Sequence, residues 1–375
     1  MKTMAYAIRD LPLETLFGPV ARTTEALARL DERLARSPVR DGFVERQHFA
    51  DTAAALWLEG ELVHLEDLVL HDAHMDIRTP THELTRAHAV LRCRRRIFAQ
   101  RPDWALSRDG FLALAGRGGA MPAAGEKNRD GEGAGTASVD PDVRDDAEAD
   151  LLAEEFAEID AVLARSSKIL SGAGVPAKAA RPDDRPDLIY DLDWNEEERL
   201  AEWQDVIAGT RNLPLVMRAA ILLEAWSDIE VLQHAAWLGP LLVAALLRQE
   251  GLAANHLASL HLGAKNIPRE RRRAHNRGDR LLALLDAIHD AAVAGLKEHD
   301  RLVLAKSQME RRLKQRRASS KLPDLVELVL SRPLVSTGMI QERLKVTKQG
   351  ALNLVGELGL REMTGRGRFR AWGIV

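Results

Sequence analysis

The chain has 375 residues, with 53 Lys+Arg against 56 Asp+Glu for a net charge of −3, and is 46% hydrophobic and 29% charged. At roughly 150 residues per domain this length provides two or three domains with real cores, and the composition excludes a wholly disordered chain. The longest apolar run, Leu241 to Leu247, is too short to span a bilayer, so no membrane partner is expected. The opening MKTMAYAIRD has neither an apolar core nor a small-residue cleavage site. Cys93 is a single cysteine and closes no intramolecular disulfide. Both features point to the cytoplasm. With net charge near zero, a nucleic-acid role has to rest on how charge is distributed.

Residues 1–115 read as an N-terminal helical region. In LETLFGPVARTTEALARLDERLA, Leu16, Val20, Leu27, Leu30 and Leu34 recur at helical spacing. HFADTAAALWLEG, ELVHLEDLVLHD and HELTRAHAVLRCRRRIFAQ follow, separated by Gly, Thr-Pro and Arg-Pro punctuation. Residues 116–147 are rich in Gly, Ala and acidic residues without apolar periodicity, and read as a flexible acidic linker. The central domain, 148–320, opens with an amphipathic acidic stretch and a Gly/Pro-rich loop at 171–187. Asp193 then caps WNEEERLAEWQDVIAG. Further helices are expected through PLVMRAAILLEAWSDIEVLQHAAW, PLLVAALLRQEG and the long GDRLLALLDAIHDAAVAGLKEHDRLVLAKSQMERRLKQRR. Trp194, Trp203, Trp226 and Trp237 read as core. The stripe Leu281, Leu284, Leu285, Ile288, Ala292 and Leu296 is either core or the seam of a homodimer.

Several local clusters hold residue types that can carry chemistry. His64, His71, His74, His82 and His88 crowd one region, with Asp67, Asp72 and Asp76 nearby, but His71-x-x-His74 alone makes no tetrahedral shell, so no metal is expected. Cys93 sits in RCRRR, where positive neighbours favour thiolate, without a His-Asp partner pattern. Arg92, Arg94, Arg95 and Arg96 suit an acidic partner, such as the chain's own linker. No phosphate loop is present, and no cofactor is expected. The basic run Lys306, Arg311, Arg312, Lys314, Arg316, Arg317 and Lys321 reads either as a solvated helix face or as an arm lying near phosphates.

Residues 321–375 carry the sharpest signal. Pro323 suits a first helical turn and Arg332-Pro333 ends that helix. Ser336 or Thr337 caps a second helix with Met339, Ile340 and Leu344 inside. Thr347 caps a third, in which Leu352, Val355 and Leu358 bury and Gly359 terminates. The strands LREM and RFRAWGI flank Thr364-Gly365-Arg366-Gly367. Three short helices and a basic hairpin describe a winged helix-turn-helix, on a fold that is otherwise mainly α. Lys348, Gln349 and Asn353 face away from the buried side. Gln and Asn can contact adenine bidentately, and Lys348 can meet phosphate or guanine. Arg366, Arg368 and Arg370 on the wing can reach backbone or minor groove. The expected partner is double-stranded DNA, bound by a transcriptional regulator.

The final segment also resembles the winged helix appended to many Fic-domain proteins, whose wing reads T-G-R-x-R-x-R; Thr364, Gly365, Arg366, Arg368 and Arg370 match it. LWLEGELVHLEDL resembles the Fic motif S/T-x-x-x-E-G/N through Glu59 and Gly60, with Ala55 in place of Ser or Thr. GPLLVAALLRQEGL resembles the helix after the Fic loop, H-P-F-x-D/E-G-N-G-R-x-x-R. A gap-free overlay puts Ile229 at the His, Gln233 at the acid, Ala235 at the Asn and Trp237 at the Arg, and sliding His234 onto the base position recovers nothing downstream. The resemblance therefore implies a catalytically silent Fic-like body, and no enzyme. The competing readings are a divergent Fic-type nucleotidyl transferase and an antitoxin-like adaptor docking protein. In overall order the chain resembles an uncharacterised helix-turn-helix family of rhizobia and related alphaproteobacteria, which carries a helical domain of unknown function before the DNA-binding segment.

Overall fold

The computed structural model describes Tyr6, Ile8 and residues 11–75, 79–116, 194–313, 321–364 and 370–374. The linker beyond Gly116, the amphipathic stretch opening the central domain, the loop 171–187 and the Asp193 cap lie outside the described residues. The chain divides into two compact units, Met1–Leu106 with Glu196–Val375, and Ser107–Asn195. In the second unit one helix is described, α5 (Arg108–Leu114), whose first turn is capped by the Ser107 side chain accepting from the Gly110 N–H.

The first unit opens with α1 (Leu13–Ala35), α2 (Arg40–Leu58), α3 (Leu65–Asp72) and α4 (His82–Ala99). It continues after residue 195 with α6 (Glu196–Gly209), α7 (Leu215–Ile229), α8 (Leu238–Gln249), α9 (Leu260–Asn266), α10 (Arg269–Arg272) and α11 (Arg277–Leu313). The periodic leucines of α1 all bury, against α11. α11 also packs on α7, α9 and α2, so helices from 1–115 and from 148–320 share one core. Leu281, Leu285, Ile288 and Ala292 are buried within that core. Leu284 and Leu296 are half-buried, and the other four residues of the stripe are spent inside one protomer.

Two stretches depart from the sequence reading. The helix expected to run on to Trp237 stops at Ile229, because Glu230 turns left-handed at φ 52° and closes the helix with its N–H on the Trp226 carbonyl. Trp226 Nε1 then donates to the Ala236 carbonyl at 3.2 Å and folds 231–237 back over the helix end. The short helices α9 and α10 escaped notice, being seven and four residues long. α9 approaches α11 closely because residue 263 is glycine; a Cβ there would meet the Ala287 carbonyl oxygen. Trp203, Trp226 and Trp237 are core residues, the first two edge to face with centroids 5.2 Å apart. Among the described residues no helix is long and apolar enough to cross a membrane.

At the centre lies Asp51 of α2, fully buried, which pairs with the equally buried Arg94 of α4. Its carboxylate also accepts from the Leu262 N–H at 2.8 Å and meets His261 Nδ1 at 2.8 Å. His261 Nε2 lies 3.1 Å from the Trp237 carbonyl, and Arg94 donates to the Leu257 carbonyl at 3.2 Å. Burial opposes ionisation of Asp51, but Arg94, His261 and the Leu262 N–H outweigh it and lower its pKa.

The C-terminal segment is a helix-turn-helix with a small three-stranded antiparallel sheet, and residues 365–369 of the expected wing lie outside the described residues. It comprises α12 (Leu322–Ser331), β1 (Val335–Ser336), α13 (Thr337–Leu344), α14 (Lys348–Leu358), β2 (Arg361–Glu362) and β3 (Ala371–Gly373). Ser336 and Thr347 cap their helices by accepting from the Met339 and Gly350 N–H groups, and Gly359 ends α14 at φ 60°. The antiparallel order is β1-β3-β2, with Val335 opposite Trp372 and Arg361 opposite Gly373. β1 was not foreseen; at two residues it is too short to show alternation. Ala351 joins Val355 and Leu358 on the inner face of α14, whereas Leu352 is only half-buried.

The buried pair sets a stability expectation. Asp51→Ala strands the Arg94 charge in the core and costs roughly 3–5 kcal/mol, while Glu25→Ala, breaking the exposed Arg29–Glu25 pair, costs under about 0.5 kcal/mol. Urea denaturation of both variants checks this. Equal midpoints would contradict the assigned role of Asp51.

Candidate nucleic-acid interface

α14 sorts its residues by face. Ala351, Val355 and Leu358 point inward, and Lys348, Gln349 and Asn353 are exposed. Gln349 and Asn353, one turn apart, hydrogen-bond through Gln349 Nε2 and Asn353 Oδ1 at 3.0 Å. That contact uses one group of each amide and leaves the Gln349 oxygen as an acceptor and the Asn353 nitrogen as a donor. Adenine presents the complementary donor and acceptor in the major groove. On the hairpin, Arg370 is exposed but engaged, its Nε and Nη2 donating to Glu362 at 2.8 and 2.6 Å, with the guanidinium 5.5 Å from the Trp372 ring centroid. The Glu362 hydrogen bond, then its charge, raises the Arg370 pKa. Arg366 and Arg368 lie outside the described residues.

Within the basic run before this segment, three cations are engaged inside the protein. Lys306 donates to the Pro38 carbonyl at 3.2 Å and to Glu327 at 3.0 Å. Arg312 donates to the Leu358 carbonyl, and Lys321 to the Leu344 carbonyl at 2.5 Å. Arg311 is exposed, and Lys314, Arg316 and Arg317 lie outside the described residues. Three of these cations therefore serve internal acceptors; for Arg312 and Lys321 the acceptor is the last carbonyl of a helix, an orphan group that a nearby cation satisfies.

Further arginines dock the helix-turn-helix on the body. Arg46 of α2, 5% exposed, donates to the Val329 and Leu330 carbonyls at 3.0 Å each. Burial pushes its pKa down to about 10, with Glu298 opposing and Arg301 adding to the fall. Arg301 of α11 donates to the Ile374 carbonyl at 2.6 Å. In the other direction, Arg332 enters a socket of Asp72 at 2.5 Å and Glu45 at 3.4 Å, over the Phe49 ring at 5.7 Å. Burial works against ionisation of Asp72, yet His88, Arg95 and Arg332 hold its carboxyl far below the usual range. Arg332 and Asp72 read in the sequence as a helix stop and a neighbour of the histidines, and none of these residues reads there as a docking group. The available signal was an arginine, Arg46, in the interior of a buried helix.

The remaining candidates resolve into internal chemistry. Arg94 and Arg95 pair with Asp51, and with Glu45 and Asp72, and Arg96 lies over Trp104 at 5.1 Å, so two of the four arginines are spent on carboxylates of the body, while the acidic linker lies outside the described residues. Cys93 is buried, and desolvation pushes its thiol up to about 11 against the pull of Arg96 and Arg92, the reverse of an activated thiolate. His71 and His88 stack edge to face at 4.7 Å, and no group of three or more His, Cys, Asp or Glu placed to hold a metal occurs among the described residues. Asp76 lies outside them. At the positions overlaid on the Fic loop, Ile229 and Trp237 are buried and His234 is exposed. Glu59 pairs with Arg86 at 2.5 Å and accepts from the Trp237 N–H.

This geometry defines a helical body carrying a docked helix-turn-helix. Residues 322–375 match the family model described as HTH DNA binding domain, and residues 188–314 match that of a protein of unknown function (DUF1612). The chain is 50% identical over 381 residues to the "Uncharacterized protein y4cF" of Sinorhizobium fredii (strain NBRC 101917 / NGR234), covering 99% of this chain and 100% of that protein, and it belongs to the same family.

Proposed function

We propose that this chain is a sequence-specific binder of duplex DNA acting as a transcriptional regulator, with a catalytically silent body. The observation that carries this reading is the exposed Lys348, Gln349 and Asn353 on one face of α14, with the two amides already paired. Gln349 and Asn353 read base edges, Lys348 meets phosphate or guanine, and Arg366, Arg368 and Arg370 of the wing meet the backbone. Arg370 has first to leave or share Glu362.

Replacing Gln349 or Asn353 by Ala relaxes preference at one base position and costs about 1–3 kcal/mol on the preferred site. Arg370→Ala weakens all duplexes alike and lowers the salt slope by about one unit. Titration against preferred and scrambled duplexes at several salt concentrations separates the two effects. Unchanged affinity in every folded variant would favour the adaptor reading, in which the winged helix docks protein.

The silent Fic-like body is supported by one arrangement. The two segments that the resemblance singles out, Glu59-Gly60 and the loop ending at Trp237, lie against each other, yet the loop offers Ile229, Gln233, Ala235 and Trp237 at the positions of base, acid, Asn and Arg. Incubation with labelled ATP and acceptor protein is expected to transfer no label; transfer lost on substitution of His234 would establish the enzyme reading.

One winged helix makes few base contacts, so regulation calls for two copies on paired half-sites. The Leu281–Ala292 stripe is core and supplies no seam, so the copies meet elsewhere or on the DNA. Sedimentation at micromolar concentration is expected to show two chains per duplex. A single chain per duplex would remove the homodimer.

A further inference from the structure

The C-terminal ends of the helix-turn-helix elements are not left to solvent. The last carbonyls of α12 accept from Arg46, the end of β3 from Arg301 and the last residue of α14 from Arg312. All three donors belong to α2 or α11 of the body. A helix C-terminus has unsatisfied carbonyls and partial negative charge, and a guanidinium supplies both hydrogen bonds and the opposite charge. Arg312 matters most for recognition, because α14 carries Lys348, Gln349 and Asn353. Its guanidinium lies over Gly359, where a side chain would run into it, and the left-handed φ of 60° there suits glycine. The recognition helix is thus anchored at its C-terminal end to a helix outside its own module.

We propose that Arg312 is a positioning residue of DNA recognition: through the Leu358 carbonyl it fixes the axis of α14, so that the body sets how Gln349 and Asn353 meet the bases. This deepens the DNA-binding reading and rests on it. Arg312 acts through α14 and touches no base. Arg311 provides the control. It stands beside Arg312 at the same helix end, is exposed like it, and makes no hydrogen bond or ion pair to another described residue, so its loss removes the same charge without the anchor.

The test uses the full chain as wild type, Arg312→Met, Arg311→Met and Arg312→Lys, titrated on preferred and scrambled duplexes at several salt concentrations. Arg312→Met is expected to lower the ratio of preferred to scrambled affinity about tenfold, the effect of one lost charge-assisted hydrogen bond, with an unchanged salt slope. Arg311→Met keeps the ratio, and Arg312→Lys restores much of it. Equal losses in both Met variants, with the slope down by about one unit, would make Arg312 a phosphate contact and overturn the proposal. So would an unchanged ratio. Amide hydrogen exchange without DNA supplies a second readout: Arg312→Met should speed exchange in the last turn of α14 alone, and no change there overturns the anchor. If wild type fails to discriminate duplexes, the DNA reading falls, whereas the exchange experiment still decides the anchor.

Discussion

The helical body is organised around one buried carboxylate. Asp51 sits in α2 and gathers Arg94 from α4, His261 and the Leu262 N–H from α9 and, through His261, the Trp237 carbonyl at the start of α8. A charge buried this deeply is tolerable only when every lone pair is met, so the packing of these helices is coupled through a single group. The arrangement has a consequence for domain boundaries. The stretch matching the domain of unknown function begins at residue 188, yet its α9 is pinned by a side chain from residue 51. That domain therefore shares its polar centre with the N-terminal helices.

A second constraint governs the C-terminal segment. Helix ends expose carbonyls, and a small module of three short helices has many ends for its size. Here they are met largely by long cationic side chains, from Lys321 within the module and from Arg46 and Arg312 of the body, while Arg301 of the body meets the carbonyl that follows β3. Arg332 reciprocates by entering the Asp72 and Glu45 socket. The module is therefore held by directional polar contacts at several points, each more selective for orientation than apolar packing alone.

The helix-turn-helix was legible because each of its helix boundaries has local chemistry. Pro323, Ser336, Thr347 and Gly359 act within one turn of their own positions, and the structure places each as expected. The same locality made the leucines of α1 readable. What escaped was non-local. Whether the 281–292 stripe faces another protomer or α1 depends on residues more than 250 positions away. The charge of RCRRR suggested a thiolate at Cys93, but desolvation, which no local pattern reveals, decides its pKa. Likewise PLVMRAAILLEAWSDIEVLQHAAW carries an uninterrupted helical composition, and the break at Glu230 is fixed by Trp226 reaching the Ala236 carbonyl.

The distribution of occupied and unoccupied cations bears directly on what the module meets. Lys306, Arg312, Lys321, Arg332 and Arg370 all have partners within the protein. Arg343, Lys345 and Lys348 are exposed without a side-chain partner among the described residues, with Glu342 as an acidic neighbour. These three lie at the end of α13, in the turn and at the first position of α14, beside the backbone N–H groups that open the helix. Positive charge left over after internal acceptors are satisfied is the charge available to a polyanion, and each phosphate it neutralises releases counterions. A protein-docking face has no comparable need to gather uncompensated lysines and arginines around a helix N-terminus. The placement of the surplus, rather than the near-neutral total, is what favours duplex DNA as the partner.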